Sequence, residues 1–531
     1  MRLISQALLS LPCLAASARL PPTDNCKAYP GTAGWPSPQA WAELNESLDG
    51  RLLTPTPPAA ACHSGHPLFN LLACAAATKG WTSYEWHSRD PVSMIVVQYT
   101  NDTCLPDPKA PCSAQGYPAY VVNATTAEHI KLGIAFAREH NIRLVVKSTG
   151  HDFIGRSNAP GSLSIWVRHL NEISYHAGEF TLSGSGKVLP GDAVTVGGGT
   201  HMYDIYQATA KYKQTVVGGG AKSVSVGGYI SGGGHSVLSQ RYGMAADQVL
   251  EMEVVTPQGE ILKVNEDQNT DLFWALRGGG GSTFGVVTSV TLRTVPSPKI
   301  TAFFWLVSIK AKSPSYGAII SYIISQLPTL MDAGLSGYGY IAYQFPNPIP
   351  IPGLSGTIDG FVGSGVLQDK SVQELNNIFK PLKEALHEKW PGEATLFNLG
   401  FPYDSFLSWF SANYDKSEAG NHAYVVSRLL DKETLAKNTS ESNKAFLAPI
   451  PITGGYAMFM VGGKGIHEAK PRGGSNAVNP AWRKAYVHTL AGASFPAFNN
   501  TARLEAIDKL QKSFQPIRDM TPDSGAYINE V

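Results

Sequence analysis

The sequence predicts an α+β protein in two sheet-bearing parts, and three observations carry that prediction. A strand–helix–strand texture begins near residue 114, after a proline-rich stretch that holds the cysteines. Runs of β-branched residues broken by glycine turns then continue to Pro296 and Pro298, which read as a boundary. Beyond it, helical and strand-like segments are mixed in an order that suits a mainly antiparallel sheet covered by helices.

At the N-terminus, MRLISQALLSLPCLAASARL places Arg2 before an apolar stretch that ends in Ala16-Ser17-Ala18. Residues 1–18 therefore read as a secretory signal peptide cleaved after Ala18, and the mature protein is expected outside the cell or in the secretory lumen. No later stretch approaches ~20 uninterrupted apolar residues, so no membrane span is expected. Residues 19–113 are proline-rich and irregular. Cys104 and Cys112 flank LPDPKAP, a loop short enough for one bridge, and Cys62 with Cys74 is the next plausible pair; Cys26 falls outside both. Sequons at Asn45, Asn101, Asn123, Asn438 and Asn499 fit a glycosylated secreted chain. With 43% apolar and 16% charged residues among 531, the chain is globular. A net charge of +1 with no basic block argues against nucleic acid as a partner.

In YPAYVVNATTAEHIKLGIAFAREHNIRLVVKSTGH, Tyr120 to Val122 form a short strand and Thr125 with Glu128 a capping box. Ile130, Ile134 and Ala137 recur at helical spacing, and Leu144 to Val146 form the next strand, with His151 in the loop beyond. DAVTVGGG, VLEMEVVTPQGEILKV and FGVVTSVTLRTV read as further strands, the second a hairpin about Pro257-Gln258-Gly259. After the boundary come a helix at SYGAIISYIISQL, a strand at GYGYIAYQF, an amphipathic helix at SVQELNNIFKPLKEALHEKW, and strands at HAYVVSRLL and YAMFMVGG.

Glycine marks the candidate site. VVGGGAKSVSVGGYISGGGHS, DLFWALRGGGGSTFGVV and the His151 turn let backbone N–H groups approach a ligand, and three such loops in one domain suggest a large phosphate-bearing cofactor. The usual nucleotide motifs are missing. GGGGSTFG leads into a strand, where a dinucleotide fingerprint must open a helix, and there is no G-x-x-x-x-G-K-[ST]. H-E-x-x-H, C-x-x-C and G-x-S-x-G are also absent, so zinc and serine-hydrolase chemistry have no sequence support, and no metal is expected.

Together, KSTGHDFIGRS, SGGGHSVLSQRYGMAAD, ALRGGGGSTFGVV and SGAYINE resemble the FAD-linked oxidoreductases of the vanillyl-alcohol-oxidase superfamily. The resemblance is to the berberine-bridge-enzyme-like branch found in fungal secreted proteins. It implies a PCMH-type FAD-binding domain of two α/β subdomains at 114–298, a substrate domain at 299–510, and a C-terminal segment, 511–531, that returns toward the FAD domain. By this resemblance His151 is joined through a ring nitrogen to the flavin 8α-methyl carbon, while Ser148, Thr149, Gly150, Asp152 and Phe153 line the pyrophosphate side. Gly227, Gly228, Gly233 and the run to Asp247 pack against the ring system and ribityl chain; Val286 and Val287 lie near the adenine end; Tyr527 and Asn529 face the ring.

Departures from the family sharpen the expectation. Some relatives attach the flavin a second time through a cysteine where this chain has Ala221, so a single bond through His151 is expected. Ile230 stands at a position that controls oxygen access in plant relatives, and its bulk implies a dehydrogenase over an oxidase. Relatives usually run on past the GAYINE element, so the C-terminal segment reads as shortened. The implied chemistry is hydride removal from a small organic substrate, with dioxygen or another acceptor regenerating the flavin. Tyr527, Tyr424 and His488 are the candidate bases, and His235 could sit near the flavin. PYDSFLSWFSANY lines a pocket or fills the core. The substrate class expected first is a secondary-metabolite intermediate or alcohol; an oligosaccharide oxidase and a catalytically silent flavin-binding glycoprotein are the alternatives.

Overall fold

The computed structural model describes residues 26–281, 283–346, 357–437 and 439–531. The signal segment and the sequon at Asn438 lie outside them. Among the described residues, three large sheets and two two-stranded ones build the molecule.

The first holds strands Leu52–Leu53, Tyr120–Asn123, Leu163–Trp166 and Leu144–Lys147, in that spatial order. The last three are parallel, and Leu52–Leu53 joins antiparallel to Tyr120–Asn123. Helix Ala127–Glu139 makes the crossover between Tyr120–Asn123 and Leu144–Lys147. It starts one residue later than the predicted capping box: Thr126, not Thr125, accepts the His129 N–H, because only Thr126 stands three residues ahead of that donor. Ile130, Ile134 and Ala137 are buried as the helical spacing requires, and they meet Trp41 and Leu44 of helix Pro38–Ser47. The stretch before residue 114 is thus less irregular than its prolines suggest. It supplies helices Pro38–Ser47, Leu71–Gly80 and Tyr84–Arg89 and an edge strand of the first sheet, and both expected disulfides, Cys62–Cys74 and Cys104–Cys112, are formed.

The second sheet runs Ile261–Asn265, Val249–Val255, Val286–Arg293, Ala193–Gly197 and Ile173–His176, antiparallel throughout. Its first pair is the hairpin predicted about Pro257-Gln258-Gly259.

The third sheet has seven antiparallel strands, in the order Ala394–Tyr403, Ile300–Ile309, Thr357–Gln368, Leu335–Pro346, Gly455–Met460, Ala485–Ser494 and Ala423–Asp431. Helices Tyr316–Asp332, Val372–Lys389 and Asn500–Asp519 cover one face. Ile319, Ile320, Ile323, Ile324 and Leu327 of the first are fully buried there, and each such side chain contributes about 1.5–3 kcal/mol of transfer free energy. The expected division at residue 510 falls inside helix Asn500–Asp519, which continues because Leu510, Phe514 and Ile517 bury one stripe against the sheet. Among the described residues no helix is long and apolar enough to cross a membrane. Asn101 and Asn499 are exposed. Asn45 and Asn123 are half-buried, their side-chain oxygens engaged by the Leu52 N–H and by His169.

Candidate functional site

Strand Leu144–Lys147 ends in a turn that its sequence makes unavoidable. Gly150 has φ +78°, and a Cβ there would lie 2.9 Å from the Ser93 carbonyl oxygen, so only glycine passes. The Gly150 carbonyl accepts from the Ile95 N–H at 3.1 Å, and Trp166 Nε1–H donates to the Ser148 carbonyl at 3.0 Å. Among the described residues, none of the backbone N–H groups from Ser148 to Phe153 has a protein acceptor. Successive unpaired amides of this kind form an anion-binding concavity.

His151 follows. Its Nε2 pairs with the Ser223 hydroxyl at 2.9 Å, and its ring meets Tyr84 edge-on at 4.9 Å. Burial, then the neighbouring Lys147 and His87, lower its pKa to about 3, so the ring is neutral. Lys147 is itself buried and donates to the Asp90 carbonyl at 2.7 Å; burial lowers its pKa to about 8. Asp152 accepts from the backbone N–H groups of Ile154 and Arg156 and from Arg156 Nε at 2.6 Å. Arg156 then reaches Asn529 Oδ1 at 3.2 Å, and Asn529 Nδ2 donates to the His151 carbonyl at 3.1 Å.

These groups face a cavity of about 810 Å³, within the range of small-molecule and cofactor sites. Ser148 to Phe153, Gly227, Gly228, Val286, Val287, Tyr527 and Asn529 all line it. Gly227 lets helix Val226–Ser231 close on the second sheet: its N–H donates to the Gly198 carbonyl at 3.0 Å, and a Cβ would stand 2.8 Å from that oxygen. A second cavity of about 1010 Å³ shares Val146, Arg156, Gly281, Gly285 and Val286 with the first, and Lys27, Arg138 and Arg143 line it. The two cavities adjoin, the second lined by basic side chains and the first by the Ser148–Phe153 amides. That arrangement fits a long cofactor carrying phosphate, FAD included. The Ser148 hydroxyl, buried with no partner among the described residues, adds a polar group for such a ligand.

Other expected positions are corrected. Gly233 turns away from the cavity, toward Val478 and Met244. Asp247 lies outside it as well, where Arg483 grips the carboxylate with both terminal nitrogens at 2.8 Å and Asn476 donates at 2.7 Å. The charge is matched by protein, not by a ligand. Tyr424 points to the other side of its strand, stacked on Phe495, with Arg503 donating to its hydroxyl at 3.2 Å. Ile230 is wholly buried in the core under the second sheet, so its bulk does not border the cavity. Phe406, Trp409 and Phe410 of PYDSFLSWFSANY do both things proposed for them: they are buried, Phe406 and Phe410 against Tyr206 and Trp409 against those two rings, and they wall the cavity.

His488 is fully buried behind the cavity, where its Nε2 donates to Glu530 Oε2 at 2.6 Å. Glu530 was not singled out from the sequence, yet it lines the cavity with His235 Nε2 3.5 Å from its other oxygen. Burial pushes the Glu530 carboxyl up, but the hydrogen bonds from His235 and His488 more than offset this and hold it well below the usual carboxylate range. Burial lowers His488, so the neutral imidazole donates to an ionised carboxylate. Nδ1 of both histidines is buried with no partner among the described residues. Tyr527, whose hydroxyl burial raises strongly, stands edge-on to His235 at 5.1 Å. The signal available in the sequence was the glutamate directly after the Tyr-x-Asn element. The opposite wall is one face of the seven-stranded sheet, with Phe304, Tyr338, Tyr340, Phe401, Phe459 and Leu490.

Residues 118–265 match the family model described as FAD binding domain. The FAD-linked oxidoreductase patO of Aspergillus clavatus is 32% identical, over 99% of this chain and 88% of that protein. The FAD-linked oxidoreductase apf9 of Gibberella fujikuroi is 34% identical, over 99% and 90%. Among solved structures, the VAO-type flavoprotein MtVAO713 of Myceliophthora thermophila superposes with a TM-score of 0.85 at 28% identity, over 96% of this chain and 90% of that one. The chain belongs to the FAD-linked oxidoreductases of VAO type and is an oxidoreductase. Its likeness to chitooligosaccharide oxidase (17% identity, TM-score 0.57) and to a berberine bridge enzyme variant (17%, 0.57) is one of fold.

Proposed function

We propose that this protein is a secreted oxidoreductase that holds FAD through a single covalent bond at His151 and oxidises a small, largely apolar organic substrate. When bound, FAD supplies the acceptor for a hydride. The residues of the chain do the rest. The Ser148–Phe153 amides and Arg156 would hold phosphate, and the Gly227–Gly228 backbone permits close approach of a flat ring. A proton leaves the substrate together with the hydride, and Glu530 is the group positioned to take it, since it borders the cavity as an ionised carboxylate backed by His488 and His235. Of the earlier candidates Tyr527 also borders the cavity and would orient the substrate hydroxyl; Tyr424 faces elsewhere.

The observation that carries this reading is the meeting, across one cavity, of a neutral, half-buried histidine on a glycine turn with a paired carboxylate at the far end of the chain. Aromatic and aliphatic side chains on the sheet wall favour a ring-bearing secondary metabolite over an oligosaccharide. Dioxygen or another acceptor would regenerate the flavin. Secretion is supported by the N-terminal A-x-A pattern, and the exposure of Asn101 and Asn499 suits glycosylation there.

The test is to secrete the full chain, denature it in acid on a gel, and compare flavin fluorescence with His151→Ala. Fluorescence on the wild-type band that is missing from the variant supports the reading. A yellow native protein with a dark denatured band removes the covalent role of His151, and a colourless native protein removes flavin altogether.

A further inference from the structure

Ser223 is fully buried in the loop between Ala221 and Gly227, and its hydroxyl meets His151 Nε2 at 2.9 Å. No other hydrogen bond of either ring nitrogen is made within the described protein, so Nδ1 is the nitrogen left for a ligand on this cavity-lining ring. From this geometry we propose that Ser223 is a positioning residue for cofactor attachment, holding the imidazole by Nε2 so that Nδ1 forms the bond to the flavin. The proposal rests on the reading of His151 as the attachment residue.

The chemistry explains why a hydroxyl is suited to the place. In the neutral imidazole only one nitrogen carries hydrogen, and the other offers a lone pair. With hydrogen on Nε2 donating to the Ser223 oxygen, the Nδ1 lone pair is free to form a bond to the flavin 8α carbon as a C–H bond there breaks. The ring system takes up two electrons in this step. Dioxygen removes them as hydrogen peroxide, together with the two protons released, one from carbon and one from Nε2. Once Nδ1 is substituted, Nε2 has lost its hydrogen and become an acceptor. A serine hydroxyl serves both states, accepting before attachment and donating after it, because it is donor and acceptor at once. A backbone carbonyl in its place would face a lone pair in the product, and an alkyl group would leave a buried nitrogen unpaired. The neutrality that this step needs agrees with the burial, and the nearby Lys147, that lower the His151 pKa to about 3.

The test compares Ser223→Ala and Ser223→Thr with the wild type and with His151→Ala, all as full-length secreted protein. Total flavin is read from the native absorbance, and attached flavin from the fluorescence that survives acid denaturation. Ser223→Ala, like His151→Ala, is expected to keep non-covalent flavin, while its attached fraction falls at least tenfold at matched harvest times. Ser223→Thr, which keeps the hydroxyl, is expected within threefold of wild type. A fully attached Ser223→Ala protein overturns the proposal, and so does a Ser223→Thr protein that folds and binds flavin yet attaches it no better than the alanine variant. If Ser223→Ala is not secreted, Ser223→Val, which has the shape of the threonine variant without its hydroxyl, takes the place of alanine in both comparisons. A wild type without attached flavin sinks the reading of His151 instead, and is told apart by its dark band.

Discussion

The Asn529 side-chain amide donates to the backbone carbonyl of His151 at 3.1 Å, across 378 residues of sequence. Arg156 donates to the oxygen of the same amide at 3.2 Å, so one asparagine locks the C-terminal segment onto the turn that carries the histidine. Replacing it with leucine removes both bonds and leaves polar partners unpaired. Asn529→Leu is expected to lose about 1–3 kcal/mol of stability. It is also expected to lower flavin content, both measured on the same preparation by denaturant midpoint and visible absorbance. An unchanged midpoint would show that the two bonds contribute nothing net.

Glu530 is the residue on which the proton transfer is placed. Glu530→Gln keeps the size and the contact with His488 but cannot accept a proton. Flavin reduction by a competent substrate, followed anaerobically by stopped-flow bleaching, is expected to slow by roughly 10²–10⁴-fold. A rate within threefold of wild type would move the role to another group, with Tyr527 the next to test.

Three histidines, His87 fully buried and His151 and His201 half-buried, make stability depend on pH in one direction. His87 is held between the Ser93 hydroxyl at 2.5 Å and the Trp81 carbonyl at 2.6 Å, and burial lowers its pKa to about 4. Burial lowers His151 and His201 to about 3. Because each folded value lies below the unfolded one, near 6.5, the unfolded chain binds protons first as pH falls. Stability from these groups is therefore complete above about pH 6.5 and is lost progressively toward pH 4 and below, at about 1.4 kcal/mol per pH unit for each histidine. Denaturant midpoints at several values between pH 4.5 and 7.5 check the slope. His87→Gln should flatten it by up to one proton, and a curve parallel to wild type would contradict the neutral, buried state of His87.

The Asp247–Arg483 pair joins the turn after the glycine run to the loop that precedes strand Ala485–Ser494. Asp247 is nearly inaccessible, so Asp247→Ala leaves Arg483 and Asn476 without their acceptor. The expected cost is about 3 kcal/mol. The denaturant midpoint reads it, and covalent flavin should persist in whatever protein folds, since the carboxylate does not border the cavity. Loss of attachment at undiminished stability would return Asp247 to the cofactor site.

How much of this could be read from the chain varies with the range of the forces involved. Elements whose cause is local were legible. Helix Ala127–Glu139, the hairpin about Pro257-Gln258-Gly259 and the turn at Gly150 follow from apolar spacing, turn residues and a φ that suits glycine alone. The cap slipped by one residue because Thr125 and Thr126 are equal in composition and differ only in which oxygen reaches the His129 N–H.

The glycine-bearing side of the cavity was legible for the same reason: Ser148 to Phe153, Gly227, Gly228, Val286 and Val287 sit in short glycine-bearing segments whose backbone must stay open. The side that carries the paired carboxylate was not. His488, His235 and Glu530 belong to a strand, a loop and the C-terminal segment, and nothing local distinguishes a carboxylate held by two imidazoles from one that solvates a surface. Nor does local sequence say that Asp247 spends its charge on Arg483, or that Tyr424 turns to Arg503. By itself the sequence determined the secondary elements, the glycine turn and the histidine at its tip, because periodicity and backbone sterics act over a few residues. Only the tertiary structure decided which titratable groups face one another across the cavity, because burial and charge pairing arise when distant segments pack.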